Sequence, residues 1–204
     1  MGGSNYLSII DRFQFPFNSG TASKVGNLSV GRYFPSANNS STYGYVCGGY
    51  NDSTLVLFSI IDRFQFPFNS GTANQVGNLS GSRGYLSANN SSTYGYVCGG
   101  YNHYNGPLST IDRFQFPFDS GAVNQMGNLS GSRIWLNANN SSIYGYVCGG
   151  YNDSYLSTNG SRLSTIDRFQ FPFDSGTANQ VGNLSGSRSR LSAADSVDFV
   201  TMFV

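Results

Sequence analysis

The sequence predicts an all-β fold and, within that class, a β-propeller with four blades of four antiparallel strands. Two phrases carry this prediction because they recur at an interval of about 50 residues. Tyr-Gly-Tyr-Val-Cys-Gly-Gly-Tyr-Asn begins at Tyr43, Tyr94 and Tyr144. Ile-Asp-Arg-Phe-Gln-Phe-Pro-Phe begins at Ile10, Ile61, Ile111 and Ile166. A repeat of this length, rich in β-forming and turn residues and carrying a double glycine, is typical of a propeller blade.

One repeat, from Leu86 to Arg133, shows how four strands follow one another. The first strand starts at Leu86, and the later strands are predicted at Tyr94–Cys98, Ser109–Phe118 and Ala122–Leu129. Asn, Ser, Gly and Pro, which favour turns, separate them. Three phenylalanines of the third strand alternate with other residues and therefore share one face. Burying a Phe side chain contributes roughly 1.5–3 kcal/mol, so we expect this triplet to be the main contact between blades.

The order of strands along the chain predicts how the ring closes. Three complete repeats cover residues 34–84, 85–134 and 135–189. Residues 5–33 match the third and fourth strands of a blade, and residues 190–204 match the first and second. We expect these two halves to join in a composite fourth blade, giving one monomeric domain over residues 1–204. The alternatives are a piece of a larger propeller, or a ring of six to eight blades completed by self-association.

Composition excludes several classes of function. Only 10% of the residues are charged and the net charge is +1, whereas a nucleic-acid-binding protein would show a basic patch. No apolar run is long enough to cross a bilayer, so we expect no membrane insertion. The N-terminus shows no basic segment followed by an apolar one, so we expect no secretion signal, and the first four residues resemble an expression linker. The cellular location is left open by these observations.

The sequence also predicts that the protein is not an enzyme and holds no cofactor or metal. Its single histidine, His103, lies in a loop, and no phosphate-binding loop or carboxylate pair is present. Aspartate and arginine of the Ile-Asp-Arg phrase occur in every copy, which favours a structural role. The three cysteines occupy equivalent positions, so we expect free, buried thiols rather than a disulfide: Cys47, Cys98 and Cys148. A three-thiolate metal site is the less favoured alternative, because no fourth ligand is available.

These features together resemble the kelch repeat. The apolar strand ending in a double glycine, the aromatic strand about a dozen residues later and the arginine before the next first strand carry the resemblance, which covers nearly the whole chain. The chain departs from the kelch pattern where Phe114 and its equivalents replace a tyrosine and where the following tryptophan is missing. The amino-acid sequences of these repeated phrases are similar to those of kelch-like repeat proteins of marine bacteriophages. That resemblance implies association with the virus particle.

Differences between the repeats point to a binding face. They vary in the loop between the second and third strands and in the residues after the inter-blade arginine. In an antiparallel four-stranded blade both segments lie on the same face, through which kelch propellers commonly bind partners. Candidate ligand-binding residues in these segments are His103, Tyr104, Trp135, Tyr155 and Arg162. Neutral drift in exposed loops is the alternative explanation of the variation.

Four arginines recur once per blade on the same face and are further candidates. As a ring of guanidinium groups they could hold a carboxylate or phosphate, or each could brace a blade junction through backbone carbonyls or an aspartate. They are Arg32, Arg83, Arg133 and Arg188.

The function predicted from these features is non-enzymatic binding of a host-surface glycan or protein, on a virus particle. Two alternatives remain open: a purely structural spacer or decoration protein, and an engineered or excised propeller fragment that self-associates.

Overall fold

A computed structural model describes residues 7–154, 159–195 and 200–203. The described residues form β-strands, turns and loops, and no helix occurs among them, so the predicted all-β class is confirmed. No helix in this part of the chain is long and apolar enough to cross a membrane. Twenty strands follow one another in the described ranges: β1 Ile9–Arg12, β2 Ser23–Asn27, β3 Ser36–Asn39, β4 Tyr43–Cys47, β5 Tyr50–Asn51, β6 Val56–Leu57, β7 Ile60–Gln65, β8 Asn74–Asn78, β9 Ser87–Asn90, β10 Tyr94–Cys98, β11 Tyr101–Asn102, β12 Gly106–Pro107, β13 Thr110–Gln115, β14 Asn124–Asn128, β15 Asn137–Asn140, β16 Tyr144–Cys148, β17 Leu163–Gln170, β18 Asn179–Arg188, β19 Ser192–Asp195 and β20 Val200–Phe203.

Three antiparallel four-stranded sheets form the body of the protein, and we call them units 1, 2 and 3. Their strand orders are β3-β4-β7-β8, β9-β10-β13-β14 and β15-β16-β17-β18. Each sheet is a simple meander, as the repeat predicts. The third strand of units 1 and 2 ends at the Gln before the Phe-Pro turn, which is earlier than the sequence predicts, because proline has no N–H to offer a strand ladder. Short hairpins, β5–β6 and β11–β12, replace the predicted loops after the double glycines.

The predicted composite fourth blade is not formed among the described residues. β1 pairs with β2, and β19 pairs with β20, as two separate two-stranded sheets. The register supplies a reason. In unit 2, Gly95 lies opposite Phe114, and a Cβ on that glycine would meet the phenyl ring. Val200 holds the equivalent register position in β20, so β20 lacks the glycine that this close approach requires in the three units.

Aromatic packing holds each unit against the next. Tyr45 of unit 1 is fully buried and stacks on Phe116 of unit 2, with ring centroids 5.2 Å apart. Its hydroxyl oxygen accepts a hydrogen bond from the backbone N–H of Phe118 at 3.1 Å. Tyr96 of unit 2 makes the same contacts with unit 3, stacking on Phe171 at 5.0 Å. The phenylalanine triplet therefore packs between units, as its spacing predicts, and each Phe–Tyr pair adds a directional contact to the burial of apolar area.

Close backbone approach completes each junction. The fourth strand of unit 2 runs beside the Phe-Pro turn of unit 3, and Asn128 donates its backbone N–H to the carbonyl oxygen of Gly176 at 2.9 Å. Gly127 lies directly beneath that carbonyl and the ring of Phe173, where a Cβ would overlap both. Gly26 and Gly77 make the equivalent approach at the two earlier junctions. Gly182 of unit 3 is the exception, since nothing lies within 4 Å of its Cβ position.

This difference between equivalent glycines gives a matched test of the junction. We expect Gly127→Ala to lower the free energy of unfolding by about 1–3 kcal/mol, because the methyl group forces the carbonyl and ring away. Gly182→Ala adds the same methyl group at the same repeat position, where there is room, so we expect a change within about 0.5 kcal/mol. Urea denaturation of both variants, followed by circular dichroism at low protein concentration, measures the difference. Equal destabilisation would contradict the assigned junction.

Candidate ligand-binding site

The two variable segments of each repeat are brought together, as the sequence predicts. In the connection between units, the residue after each recurring arginine pairs with the residue after the double glycine in an antiparallel bridge. The pairs are Tyr33 with Tyr50, Gly84 with Tyr101, and Ile134 with Tyr151. At the first of these, the two backbone N–H groups donate to the opposing carbonyls at 2.8 Å each. The inter-unit connection and the loop between the second and third strands therefore share one face.

A row of four large side chains follows directly after these bridges. Its members occupy one repeat position and all have positive φ: Phe34 at 51°, Tyr85 at 58°, Trp135 at 52° and Arg190 at 60°. This left-handed region is sterically unfavourable for bulky residues and costs of order 1–3 kcal/mol for each. The surrounding structure must therefore enforce it. We call these four side chains the aromatic row, including the arginine that ends it.

Backbone hydrogen bonds tie the row together from one unit to the next. The N–H of Tyr85 donates to the carbonyl of Phe34 at 3.2 Å, and the N–H of Trp135 donates to that of Tyr85 at 3.1 Å. The N–H of Arg190 donates to the carbonyl of Trp135 at 2.8 Å. Since Phe34, Tyr85 and Trp135 each begin one unit and Arg190 follows unit 3, the spacing of the row is set by the packing of the units.

The side chains of the row also contact one another. The rings of Phe34 and Tyr85 stack with centroids 4.4 Å apart, and Tyr85 meets Trp135 edge-on at 5.9 Å. The guanidinium group of Arg190 lies over the indole of Trp135, 4.2 Å from its centroid, in a cation–π contact. Tyr85 is buried, whereas half of Phe34 is exposed to solvent.

The row lines a pocket of about 420 Å³, which is within the usual size range of small-molecule sites. Proline and leucine side chains from the residues after each row member complete it. Its lining residues are Phe34, Pro35, Tyr85, Leu86, Trp135, Leu136, Arg190 and Leu191. The apolar wall is supported from behind by a buried cluster that includes Tyr50, Leu57 and Ile134. A rigid apolar surface with one cationic end results.

Of the residues predicted from the variable loops, only Trp135 lines this pocket in the part of the chain that the structure describes. His103 Nε2 is 2.9 Å from the carbonyl oxygen of Leu55, and its ring lies against Tyr50 and Tyr101, so it connects two neighbouring loops. Tyr104 is 95% exposed at a loop tip. Arg162 is exposed beside Tyr151, and Tyr155 lies outside the described residues.

The sequence left two roles open for the recurring arginines, an anion site and the bracing of the junctions, and three of them brace the junctions. Arg32, Arg83 and Arg133 are buried, and each pairs with a fully buried aspartate of the next unit: Asp62, Asp112 and Asp167 respectively. The N···O distances are 3.0 Å and 2.9 Å for the first two pairs. These arginines brace the junctions, which is the alternative that the sequence left open, and no face of their guanidinium groups is offered to a ligand.

A serine completes each of these buried sites. Ser80 donates its backbone N–H to Asp112 Oδ2 at 2.9 Å and its hydroxyl to Oδ1 at 2.6 Å. Ser29 and Ser130 do the same for the other two aspartates. Burial lowers the pKa of Arg32 and Arg133, and the facing carboxylates oppose that effect. Arg188, at the end of unit 3, is half-buried and contacts its own segment, donating to Ser185 Oγ at 3.0 Å and to the carbonyl of Gly186 at 3.2 Å.

The three cysteines are free and buried, as the sequence predicts. Burial raises the pKa of Cys47 and Cys98 to about 12 and that of Cys148 to about 11. Their thiols are therefore neutral at physiological pH. Within the described ranges, no group of three or more His, Cys, Asp or Glu side chains is placed to hold a metal ion.

Comparisons of the chain with models of known protein families and with curated proteins gave no match. The geometry of the aromatic row and its pocket is therefore the basis for assigning this site.

The buried ion pairs predict a large effect of removing one carboxylate. Asp112→Asn keeps the shape of the side chain but leaves the buried charge of Arg83 without its counter-ion, so we expect a loss of about 3–5 kcal/mol in the free energy of unfolding. Asp119→Asn is the matched control, because Asp119 pairs with Arg63 at the surface and we expect it to contribute less than about 1 kcal/mol. Urea denaturation of the two variants tests this. Similar losses would argue against a stabilising role for the buried pair.

The buried thiols predict a fall in stability at high pH. In the unfolded chain the thiols titrate near 9.0, whereas the folded values are near 12 and 11. The unfolded state therefore loses protons first, and the free energy of unfolding falls as the pH rises above about 9. We expect this slope to be reduced when all three cysteines are replaced by alanine. Denaturation curves from pH 8 to pH 10.5 for both proteins measure it, and identical slopes would contradict the buried, protonated state.

Proposed function

We propose that this protein is a non-enzymatic binding module, built as a kelch-like β-propeller, that holds a saccharide against the aromatic row. The blade interpretation is supported by the meander order of the three units and by the arrangement of their first strands. These strands, together with β19, lie beside one another in the order β3, β9, β15, β19, as the innermost strands of successive blades would. Buried asparagines link them, with Asn89 Nδ2 donating to the carbonyl of Asn139 at 2.9 Å.

One observation carries the proposal: an unfavourable backbone conformation is kept at four equivalent positions, and the side chains there line one pocket. A glycine at these positions would avoid the cost of positive φ. Instead the chain places Phe, Tyr, Trp and Arg there. Backbone strain that recurs at a concave surface is typical of ligand-binding sites, where the strain fixes a geometry for recognition.

The chemistry of the row favours a saccharide. Aromatic rings have electron-rich faces, and the C–H groups on one face of a pyranose ring present a complementary apolar surface. Arg190 offers guanidinium N–H donors at one end of the row, which suit sugar hydroxyl or carboxylate oxygens. A pocket of about 420 Å³ accommodates a short stretch of sugar rings.

We favour a host-surface glycan as the ligand, with the protein carried on a virus particle. A cell-surface glycan repeats the same sugar unit many times, and many copies of a weak site on one particle would act together. Such multivalency raises the overall affinity by orders of magnitude without any new contact at the single site.

Replacement of Phe34 by glycine tests the site with little risk to the fold. Glycine relieves the positive φ and removes a ring that is half exposed, so we expect a folded protein whose glycan affinity falls at least about tenfold. Trp135→Gly removes the central ring and the platform for Arg190, and we expect the same or a larger loss. A glycan array identifies the ligand, and titration calorimetry then measures the dissociation constants.

Tyr104→Ala is the control, because Tyr104 is a candidate from the sequence that is 95% exposed and lies away from the pocket. We expect its affinity to equal that of the parent. Undiminished binding by Phe34→Gly and Trp135→Gly, or a loss caused by Tyr104→Ala alone, would move the site from the aromatic row to the loop tips.

A further inference from the structure

Every junction between units uses the same set of complementary groups. At the junction of units 2 and 3, the earlier unit supplies a Ser and an Arg, Ser130 and Arg133, and the later unit supplies the buried Asp167 that binds both. The earlier unit also supplies Tyr96, which stacks on Phe171. The junction of units 1 and 2 repeats these contacts one repeat earlier, with Tyr45 on Phe116 and Arg83 on Asp112.

The outer side of unit 3 carries the earlier half of such a junction with nothing docked on it among the described residues. Tyr146 is half-buried, although its equivalents Tyr45 and Tyr96 are fully buried. Val181 is 45% exposed, whereas Val76 at the same repeat position is 9% exposed. The space above Gly182 is open, and Arg188 binds its own segment instead of a carboxylate. We call this surface the tail face.

The N-terminal hairpin, β1–β2, carries the later half. Asp11 is exposed, although the equivalent aspartates of units 1, 2 and 3 are fully buried. The three phenylalanines of the hairpin are exposed as well, with Phe15 at 82%. The opposite side of the hairpin is already docked on unit 1, where Arg12 donates to the carbonyl of Phe68 at 3.2 Å and Asn27 to that of Gly71 at 2.9 Å. We call the exposed surface with Asp11 and Phe15 the head face.

We propose that the tail face of one copy of this chain binds the head face of a second copy. Position by position, the two faces match the halves of the internal junctions: Arg188 and Ser185 with Asp11, Tyr146 with Phe15, and the open space above Gly182 with Phe17. Each face has exposed apolar residues beside a charged group, and the charged groups of the two faces have opposite signs. Two such surfaces indicate an interface between chains.

A second copy fits this role better than the hairpin of the same chain. Within one chain, contacts with unit 1 fix the hairpin, and Asp11 and Phe15 stay exposed, because among the described residues β1 pairs with β2 and not with β20. The hairpin of a second copy is held by that copy's own unit 1, so its exposed face can dock along β17–β18 of the first copy, where Phe15 and Phe17 would meet unit 3. β18 also offers a ten-residue outer strand, twice the length of β8 or β14. An exposed strand edge is a ready surface for another chain.

The resulting interface is heterologous, because it joins two different surfaces of the same molecule. Such contacts close into rings when the rotation between copies allows it, and otherwise continue as open assemblies. Either way, each interior copy uses both faces. The aromatic row lies on a separate set of residues, so this proposal stands independently of the proposed glycan binding.

Charge reversal at the two faces tests the proposal. Size-exclusion chromatography with light scattering should give the parent a mass of at least twice the 22.0 kDa of one chain, increasing with protein concentration. Asp11→Arg removes the head face and Arg188→Asp removes the tail face, so each variant alone should have the mass of one chain. Mixing the two variants should restore the larger mass, because Asp11 of one then meets Arg188 of the other, and the reversed pair is also complementary.

A matched control and a second variant make each outcome decisive. Asp52→Arg makes the same change of charge at an exposed turn of unit 1, and its mass should equal that of the parent. Gly182→Leu fills the open space on the tail face and should also give the mass of one chain, with an unchanged circular dichroism spectrum. A parent of 22.0 kDa at every concentration would overturn the proposal. So would single charge variants that keep the parent's mass, or a mixture that stays at the mass of one chain.

Discussion

The buried carboxylate at each junction is the constraint on which the rest of the structure depends. Asp62, Asp112 and Asp167 have no exposed surface, and a buried charge is tolerated only when it is paired and hydrogen-bonded. The partners come from the preceding repeat, as an arginine and a serine. A single unit therefore cannot supply the ion-pair and hydrogen-bond partners that its own buried aspartate needs. The same contact orients the inter-unit segment that leads into the aromatic row, so the junction sets both the stacking of units and the geometry of the site.

The fold class and the convergence of the variable segments could be predicted from the sequence. Alternating residues and a fixed repeat length define meander sheets, and chain connectivity then requires the loop and the inter-unit segment to share a face. The packing of the phenylalanine triplet followed from the same alternation. The sequence predicts a composite closing blade, whereas among the described residues β1 pairs with β2 and β19 pairs with β20. The repeat pattern does not reveal that a glycine is needed opposite the first phenylalanine of each unit, and only the register of β20 identifies Val200 as the residue at that position.

The candidate site was predicted less well, for two physical reasons. An arginine that recurs beside a variable segment has the same sequence signature whether it points to solvent or to a buried aspartate, and only the packing of units distinguishes these cases. The positive φ of Phe34, Tyr85 and Arg190 has no signature when the residue is not glycine. A usable signal did exist: the second residue after each inter-unit arginine is large in every copy, although its identity changes. Trp135 is the one member of the aromatic row among the candidates that the sequence predicts from its variable segments.

The uniform junction has a consequence for how this architecture can change over generations. Each repeat presents the same two mating surfaces, so insertion of a further copy by recombination between near-identical repeats would create two complete junctions and leave no new surface to be fitted. Every inserted copy would add one side chain to the aromatic row and enlarge the pocket that the row lines. Loss of a copy would reduce the pocket in the same way. The size of the pocket can thus change in steps of one repeat, while the contacts between units stay the same.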